Sequence, residues 1–158
     1  MKKIKYIRLE HLNLLLKYLY TEKEDFIRFS KIGWSTKNIE SHLKKNNNFS
    51  IGYFYKGKIC GVLLGEKIIN QSKFDLEVYI MLVSKHIRRN NIGSSILNFI
   101  ENNKNLNDIS KIYLEVSEHN LEAIRFYEKN NFVFLKIRPN YYNDKTNIIN
   151  ARCYLKQI

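Results

Sequence analysis

The chain has 158 residues, of which 44% are apolar and 13% aromatic; that is enough to build one core and too much for a disordered chain. Twenty-seven Lys and Arg against 15 Asp and Glu give a formal charge of +12, but the excess is spread along a chain rich in Lys, Asn and Ile. It therefore reads as composition rather than as a nucleic-acid footprint, and no direct nucleic-acid binding is required.

Residues 4–9 alternate polar and apolar and predict a first strand. Leu12, Leu15, Leu16 and Leu19 recur at helical spacing. Ser35 is placed to cap a second helix, with Ile39 and Leu43 on one face. Asn46, Asn47 and Asn48 break it. Residues 49–55 and 59–69 read as a hairpin around the turn Lys56-Gly57-Lys58. Residues 75–83 read as a more buried strand. A turn over 84–92 leads to a helix over 93–102, then a short strand over 111–116. Asn120 opens a last helix, with Ala123, Ile124 and Tyr127 at helical spacing, and 132–138 and 148–155 close as a pair of strands. The order β-α-α-β-β-β-α-β-α-β-β predicts an α/β (α+β) sheet with helices on its faces.

With six Gly and the single Pro139, no linker divides the chain, and residues 1–158 read as one domain. Cys60 and Cys153 form no CxxC pair, and with four His they make no zinc pattern, so no metal is implied. Two isolated thiols fit a reducing cytoplasm. The basic start lacks the apolar run of a signal peptide, and no apolar stretch approaches the roughly 20 residues of a membrane helix. His11, His42, His86 and His119 read as surface or loop residues, Trp34 as a packing residue, and Cys60 and Cys153 as strand core.

Two stretches carry chemistry. In the first, a buried strand ends at Val83, the turn Arg88-Arg89-Asn90-Asn91-Ile92-Gly93 follows, and a helix starts at once. Unpaired N–H groups at a helix start hold phosphate, and glycine lets a ligand come close. In the second, Glu115 stands near the end of a strand and Tyr127 on the following helix. A carboxylate there suits removal of a proton from an amine, and a phenol suits its return to a leaving thiolate. Burial would raise a Glu towards the range this needs. Taken singly, both stretches have plainer accounts: basic turns before helices are common, and Glu115 facing solvent with Tyr127 in the core is an ordinary arrangement.

Together their order and spacing resemble the GNAT acetyltransferase family. Arg88 and Gly93 stand at the first and last positions of that family's [QR]-x-x-G-x-[GA] turn. The run Asn120-x-x-Ala123-Ile124-x-x-Tyr127-Glu128-Lys129-x-x-Phe132 resembles its N-x-x-A-x-x-x-Y-x-x-x-G-F signature. Asn91 and Asn131 replace glycines, and asparagine is the residue best suited to follow them into positive φ. Within the family the likeness is closest to the bacterial subfamily that acetylates the N-terminal alanine of a small-subunit ribosomal protein. It rests on Leu114-Glu115-Val116, Arg138-Pro139-Asn140-Tyr141-Tyr142, the ending Asn150-Ala151-Arg152-Cys153-Tyr154-Leu155 and Gly33-Trp34-Ser35. The segment Val78-Tyr79-Ile80-Met81 is also similar to eukaryotic N-terminal acetyltransferases, in which a tyrosine there helps catalysis.

The resemblance implies a mixed, largely antiparallel sheet of about seven strands with about four helices, splayed between the strand ending at Val83 and the strand over 111–116. It implies acetyl-CoA as co-substrate, held by Met81, Leu82 and Val83, by Arg88, Arg89, Asn90, Asn91, Ile92, Gly93 and Ser94, and by Asn120. Glu115 would be the base, Tyr127 the acid, and Tyr79, Tyr141 and Tyr142 would meet the acceptor. The acceptor would be a protein N-terminus in the cytoplasm, that of a ribosomal protein by the subfamily likeness, with the enzyme a monomer or weak dimer and no membrane involved. The alternatives are a small-molecule amine acceptor (a polyamine or aminoglycoside) and a non-catalytic acetyl-CoA-binding module. A polyamine site would want an acidic pocket, and the only clear acidic cluster in the sequence is Glu22-Glu24-Asp25.

Overall fold

The computed structural model describes residues 2–70, 73–103, 108–143 and 148–158. Seven strands form one sheet in the order β1-β2-β3-β4-β5-β7-β6. They are β1 (Lys2–Tyr6), β2 (Asn48–Tyr55), β3 (Lys58–Asn70), β4 (Lys73–Val83), β5 (Ile109–Ser117), β6 (Val133–Asn143) and β7 (Ile148–Gln157). Only the β4–β5 pair is parallel; every other neighbouring pair is antiparallel. The helices among the described residues are α1 (Leu12–Thr21), α2 (Lys23–Ser30), α3 (Thr36–Leu43), α4 (Ile92–Asn102) and α5 (Leu121–Lys129).

The predicted elements are all present, with three differences. The first strand stops at Tyr6, and a short 3-10 turn covers Leu9–His11. Helix α2 was not anticipated: it is eight residues long, none fully buried, and its apolar face is only Phe26 and Phe29, partly packed on the core, too brief a stripe for periodicity to detect. Strand β6 runs on to Asn143 across a break of register between Arg138 and Tyr142. Pro139 falls inside that break on an edge strand, where a missing N–H costs no ladder bond. The Ser35 cap forms as expected, its side chain accepting from the Asn38 N–H at 3.3 Å.

Each face of the sheet buries its own cluster. Ile92, Ile96, Leu97 and Ile100 of α4 and Ile124 and Tyr127 of α5 pack on one face with Phe49, Leu63 and Leu114. Leu15 and Leu19 of α1 and Ile39 and Leu43 of α3 pack on the other with Val62, Ile80 and Leu82. His42 belongs to this second region: it is 1% exposed, with Nε2 3.3 Å from Ser50 Oγ and Nδ1 3.4 Å from Glu66. The expectation of a surface histidine fails here because α3 turns that side of its last turn onto β2.

The feature that matters for function lies at β4. Its register against β3 shifts between Leu64 and Gly65, so that Leu64 faces Ile80 and Gly65 faces Val78, leaving Tyr79 as an extra residue. Such a bulge bends its strand and re-aims side chains. A Cβ on Gly65 would collide with the Glu77 carbonyl oxygen, so the bulge requires glycine opposite it. The parallel ladder from β4 to β5 ends at Val78 and Leu114. Beyond it β5 continues to Ser117 paired only with β7, and the sheet is splayed as expected.

Candidate active site

Two hollows lie along β4. The larger, about 1070 Å³, is lined by Met81, Leu82 and Val83, by the turn into α4, and by Asn120, Phe126 and Tyr127 with the rest of the α5 face. The smaller, about 330 Å³, is lined by Trp34, Glu77, Val78, Tyr79, Leu114 and Glu115 and by Tyr141, Tyr142 and Cys153.

The larger hollow is net basic. Asn91 caps α4 in the left-handed region, φ 58° and ψ 16°, and its side chain makes no capping bond. The first-turn N–H groups are therefore left uncapped with the positive end of the helix behind them. Six basic side chains line this space (Arg28, Lys85, Arg88, Arg89, Arg125 and Lys129) against the three carboxylates of Glu24, Asp25 and Glu122. Anionic phosphates fit that balance. Of the turn residues expected here, Arg88, Arg89, Asn91, Ile92, Gly93 and Ser94 line the hollow; Asn90 does not, and its amide donates to the Ile87 carbonyl at 3.0 Å.

Two residues of the turn also serve the fold. Arg88 is not a spare cation: Nη2 is bonded to Asp25, Nε donates to the Val83 carbonyl at 3.1 Å, and Glu122 lies 3.8 Å from Nη1. It ties α2 to the end of β4. The cluster Glu22-Glu24-Asp25 is spent on the same fastening, since Glu22 accepts from the Lys85 N–H at 3.1 Å and Glu24 pairs with the Lys85 ammonium at 3.3 Å. Gly93 has a packing reason as well as an open backbone. A Cβ there would lie 2.8 Å from Phe126 Cζ, so the missing side chain lets α5 close on α4. Both asparagines that stand in for glycine adopt positive φ as expected, 58° at Asn91 and 63° at Asn131.

Asn120 caps α5, accepting from the Ala123 N–H at 3.2 Å. Tyr127 lies two turns on, 8% exposed, its ring set edge-on to Phe126 and Phe132, each at 5.4 Å. Burial pushes its phenol well above the ordinary range, so the hydroxyl keeps its proton and is a donor at any physiological pH. Tyr18, which had no expected role, donates to the Leu82 carbonyl at 3.1 Å from α1 and holds this stretch of β4.

The smaller hollow is aromatic and acidic. Glu115 Oε1 accepts from Arg138 Nη1 at 2.8 Å and from the Cys153 thiol at 3.7 Å. Tyr79 donates to Glu77 Oε2 at 3.1 Å, and its phenol is raised by burial first and then by Glu77 and Glu66. The Tyr141 phenol is pushed up to about 12, by burial first and then by its hydrogen bond to Glu115. Its ring stands edge-on to Tyr142 at 4.9 Å. Tyr142 is raised by burial first and lies within electrostatic reach of both Glu115 and Tyr127. Trp34 packs on Tyr79 at 5.6 Å between centroids, so it serves the core and lines the hollow at once.

The acetyltransferase (GNAT) family model matches residues 13–132. The chain belongs to that family. No curated protein matches it in sequence. Solved structures do match in fold. Escherichia coli ribosomal-protein-S18-alanine N-acetyltransferase superposes with a TM-score of 0.77 at 18% identity, over 100% of this chain and 94% of that one. Arabidopsis thaliana NAA60, in complex with a bisubstrate analogue, gives 0.80 at 13% identity over 100% and 98%. Ard1 from Thermoplasma volcanium gives 0.76 at 22% identity over 99% and 97%.

A GNAT protein is an acetyl-CoA-dependent N-acetyltransferase, and this GNAT chain carries residues at its hollows that sequence reasoning passed over. Glu77 is one; period two along β4 sets it beside Tyr79, and that part of the strand lies before the bulge, whereas Met81 beyond it faces the other cluster. Cys153, read only as core, faces Glu115 in register across β5 and β7. Arg138 does not line either hollow but bonds Glu115 from 23 positions away, which nothing local foretells. Among the described residues no cluster of three or more His, Cys, Asp or Glu is arranged to hold a metal. Among the described residues no helix is long and apolar enough to cross a membrane.

Proposed function

We propose that this enzyme transfers an acetyl group from acetyl-CoA to the N-terminal α-amine of a protein, an alanine at the start of a small-subunit ribosomal protein being the first candidate, in the cytoplasm. The observation that carries the reading is the division of labour along β4. Glu115 lines one hollow and Tyr127 the other, and β4 passes from Tyr79 in the first to Met81 in the second. A base on the acceptor side and an acid on the donor side is what amide formation from a thioester needs.

Glu115 accepts the proton of the incoming ammonium. The α-amine, with an ordinary pKa of about 7.7–8.0, asks for only a modest base. The amine then attacks the thioester carbonyl carbon, N–C forms, C–S breaks, Tyr127 gives its proton to the departing thiolate, and the second proton shed by the new amide nitrogen returns to Tyr127 through solvent. Backbone N–H groups of β4 beyond the bulge, free of β5, would stabilise the developing oxyanion. The uncapped start of α4 and the basic side chains around it would hold the pyrophosphate. Holding both substrates against one strand supplies much of the rate. The likeness in fold to enzymes named for N-terminal acetylation supports the protein acceptor.

A second reading, acetylation of a small polyamine or aminoglycoside, draws on Glu77 and Glu115 sharing an aromatic hollow, an acidic pocket that the sequence did not reveal. One assay separates them: purified enzyme and acetyl-CoA offered alanine-initiated ribosomal peptides, peptides with other first residues, and spermidine side by side. Turnover of alanine-initiated peptides is expected. Turnover of spermidine and of no peptide would replace the first reading with the second.

A further inference from the structure

Arg138 is paired with Glu115, the residue proposed as the base. Its Nη1 donates to Glu115 Oε1 at 2.8 Å, and its guanidinium carbon lies 4.3 Å from the centroid of the Tyr141 ring. A carboxylate below and an aromatic face beside it are the pair of contacts that hold an organic cation. An incoming primary ammonium would want the same two partners.

The two ends of this ion pair differ in how they are held. Glu115 sits on β5 in the interior of the sheet, its side chain 25% exposed. Arg138 reaches in from edge strand β6, its side chain 54% exposed. It immediately precedes the break of register that contains Pro139, Asn140 at φ 56° and Tyr141. A half-exposed guanidinium on a long stem at a strand edge leaves its partner at small cost, since exposed ion pairs contribute little. The carboxylate stays and the guanidinium can swing out.

We propose that Arg138 is a resident counter-cation: it fills the ammonium seat at Glu115 in the free enzyme and is displaced by the acceptor's primary ammonium, so that it sets acceptor affinity. The proposal rests on reading the smaller hollow as the acceptor site. Acceptor binding is then an exchange of one cation for another, and Glu115 is never left as an unpaired carboxylate facing Glu77 across the hollow. The exchange leaves the local charge unchanged, so wild-type acceptor affinity responds weakly to salt. Without Arg138, binding brings a cation to a carboxylate that has lost its ion-pair partner, and the response to salt steepens.

The test uses the intact chain with Arg138→Ala and Arg138→Gln, the second keeping most of the stem; thermal melts establish that both fold. Steady-state kinetics with an alanine-initiated peptide at low and high salt should give an acceptor KM about two- to five-fold lower than wild type at low salt, the range expected for removing an exposed ionic competitor. The acetyl-CoA KM should not move, and the salt dependence of the acceptor KM should steepen. In parallel, n-propylammonium titrated calorimetrically in the presence of coenzyme A should bind both variants more tightly than wild type. An unchanged or raised acceptor KM together with unchanged n-propylammonium affinity would overturn the proposal and make Arg138 a fixed support of Glu115. Tighter n-propylammonium binding without acetylation of any peptide would keep Arg138 in this role and remove the protein-acceptor reading instead.

Discussion

Gly65 and the carbonyl of Glu77 lie so close that no other residue fits at position 65 without moving β4. That closeness is the inner side of the bulge at Tyr79, and the bulge stands where the ladder between β4 and β5 stops. The hollows on either side of the splay depend on it. Gly65→Ala should destabilise the fold by about 1–3 kcal/mol, the usual cost of overpacking a tight site. Its activity, compared at equal folded fraction, should fall too, because relief of the collision pulls Tyr79 and Met81 out of place. Urea unfolding and initial rates measure the two effects, and a neutral Gly65→Ala would show that the bulge does not need this glycine.

Glu115→Gln keeps size and removes the proton acceptor. If Glu115 is the base, kcat at neutral pH should drop by about 10²–10⁴-fold. The loss should shrink as pH rises past the pKa of the acceptor amine, about 7.7–8.0, because the amine then arrives without its extra proton. A pH–rate profile of wild type and variant tests this. Full activity in the variant across the range would pass the role to Tyr79.

Tyr127→Phe leaves the ring contacts to Phe126, Phe132 and Tyr154 and removes only the hydroxyl. Turnover should slow far more than the dissociation constant of acetyl-CoA rises, which should stay within about ten-fold, the upper scale of losing one solvent-compensated hydrogen bond. Stopped-flow rates and calorimetry separate the two. A variant that loses acetyl-CoA binding would make Tyr127 a wall of the hollow and not its acid.

The same tyrosines govern alkaline stability. Burial, the largest cause in each case, raises the phenols of Tyr18, Tyr79, Tyr127 and Tyr142 and brings Tyr141 to about 12. The unfolded chain ionises its tyrosines at about pH 10, as a free phenol does. Above that pH the unfolded state binds fewer protons than the folded one, so stability is intact below about pH 10 and is lost as pH climbs towards the folded values. Urea midpoints should fall steadily from about pH 10 upward. Tyr127→Phe should flatten the slope, and equal slopes would mean that water reaches its hydroxyl.

Phe126 fills the space that a side chain at Gly93 would need. Gly93→Ala should cost about 1–3 kcal/mol of stability by wedging α5 away from α4. Phe126→Leu in the same chain should recover part of it, as coupled neighbours do in a double-mutant cycle. If Gly93→Ala is silent in urea but weakens acetyl-CoA binding, closeness to ligand and not packing is the reason for this glycine.

The sequence by itself determined what is local. Periodicity along the chain gave the order of every element but α2, Ser35 marked a helix start, and Asn91 and Asn131 announced left-handed backbone, because each of these is decided by a residue and its near neighbours. Even the positions of Glu115 at a strand end and Tyr127 on the next helix follow from spacing. Only the tertiary structure decided how distant residues spend their chemistry. Asp25 on α2 neutralises Arg88, Arg138 on β6 occupies Glu115, α3 buries His42, and Gly65 on β3 makes room for a bulge in β4. Charge, burial and close approach are properties of pairs, and the partners here come from separate elements. A single stretch of sequence carries one half of each pair, and the fold supplies the other.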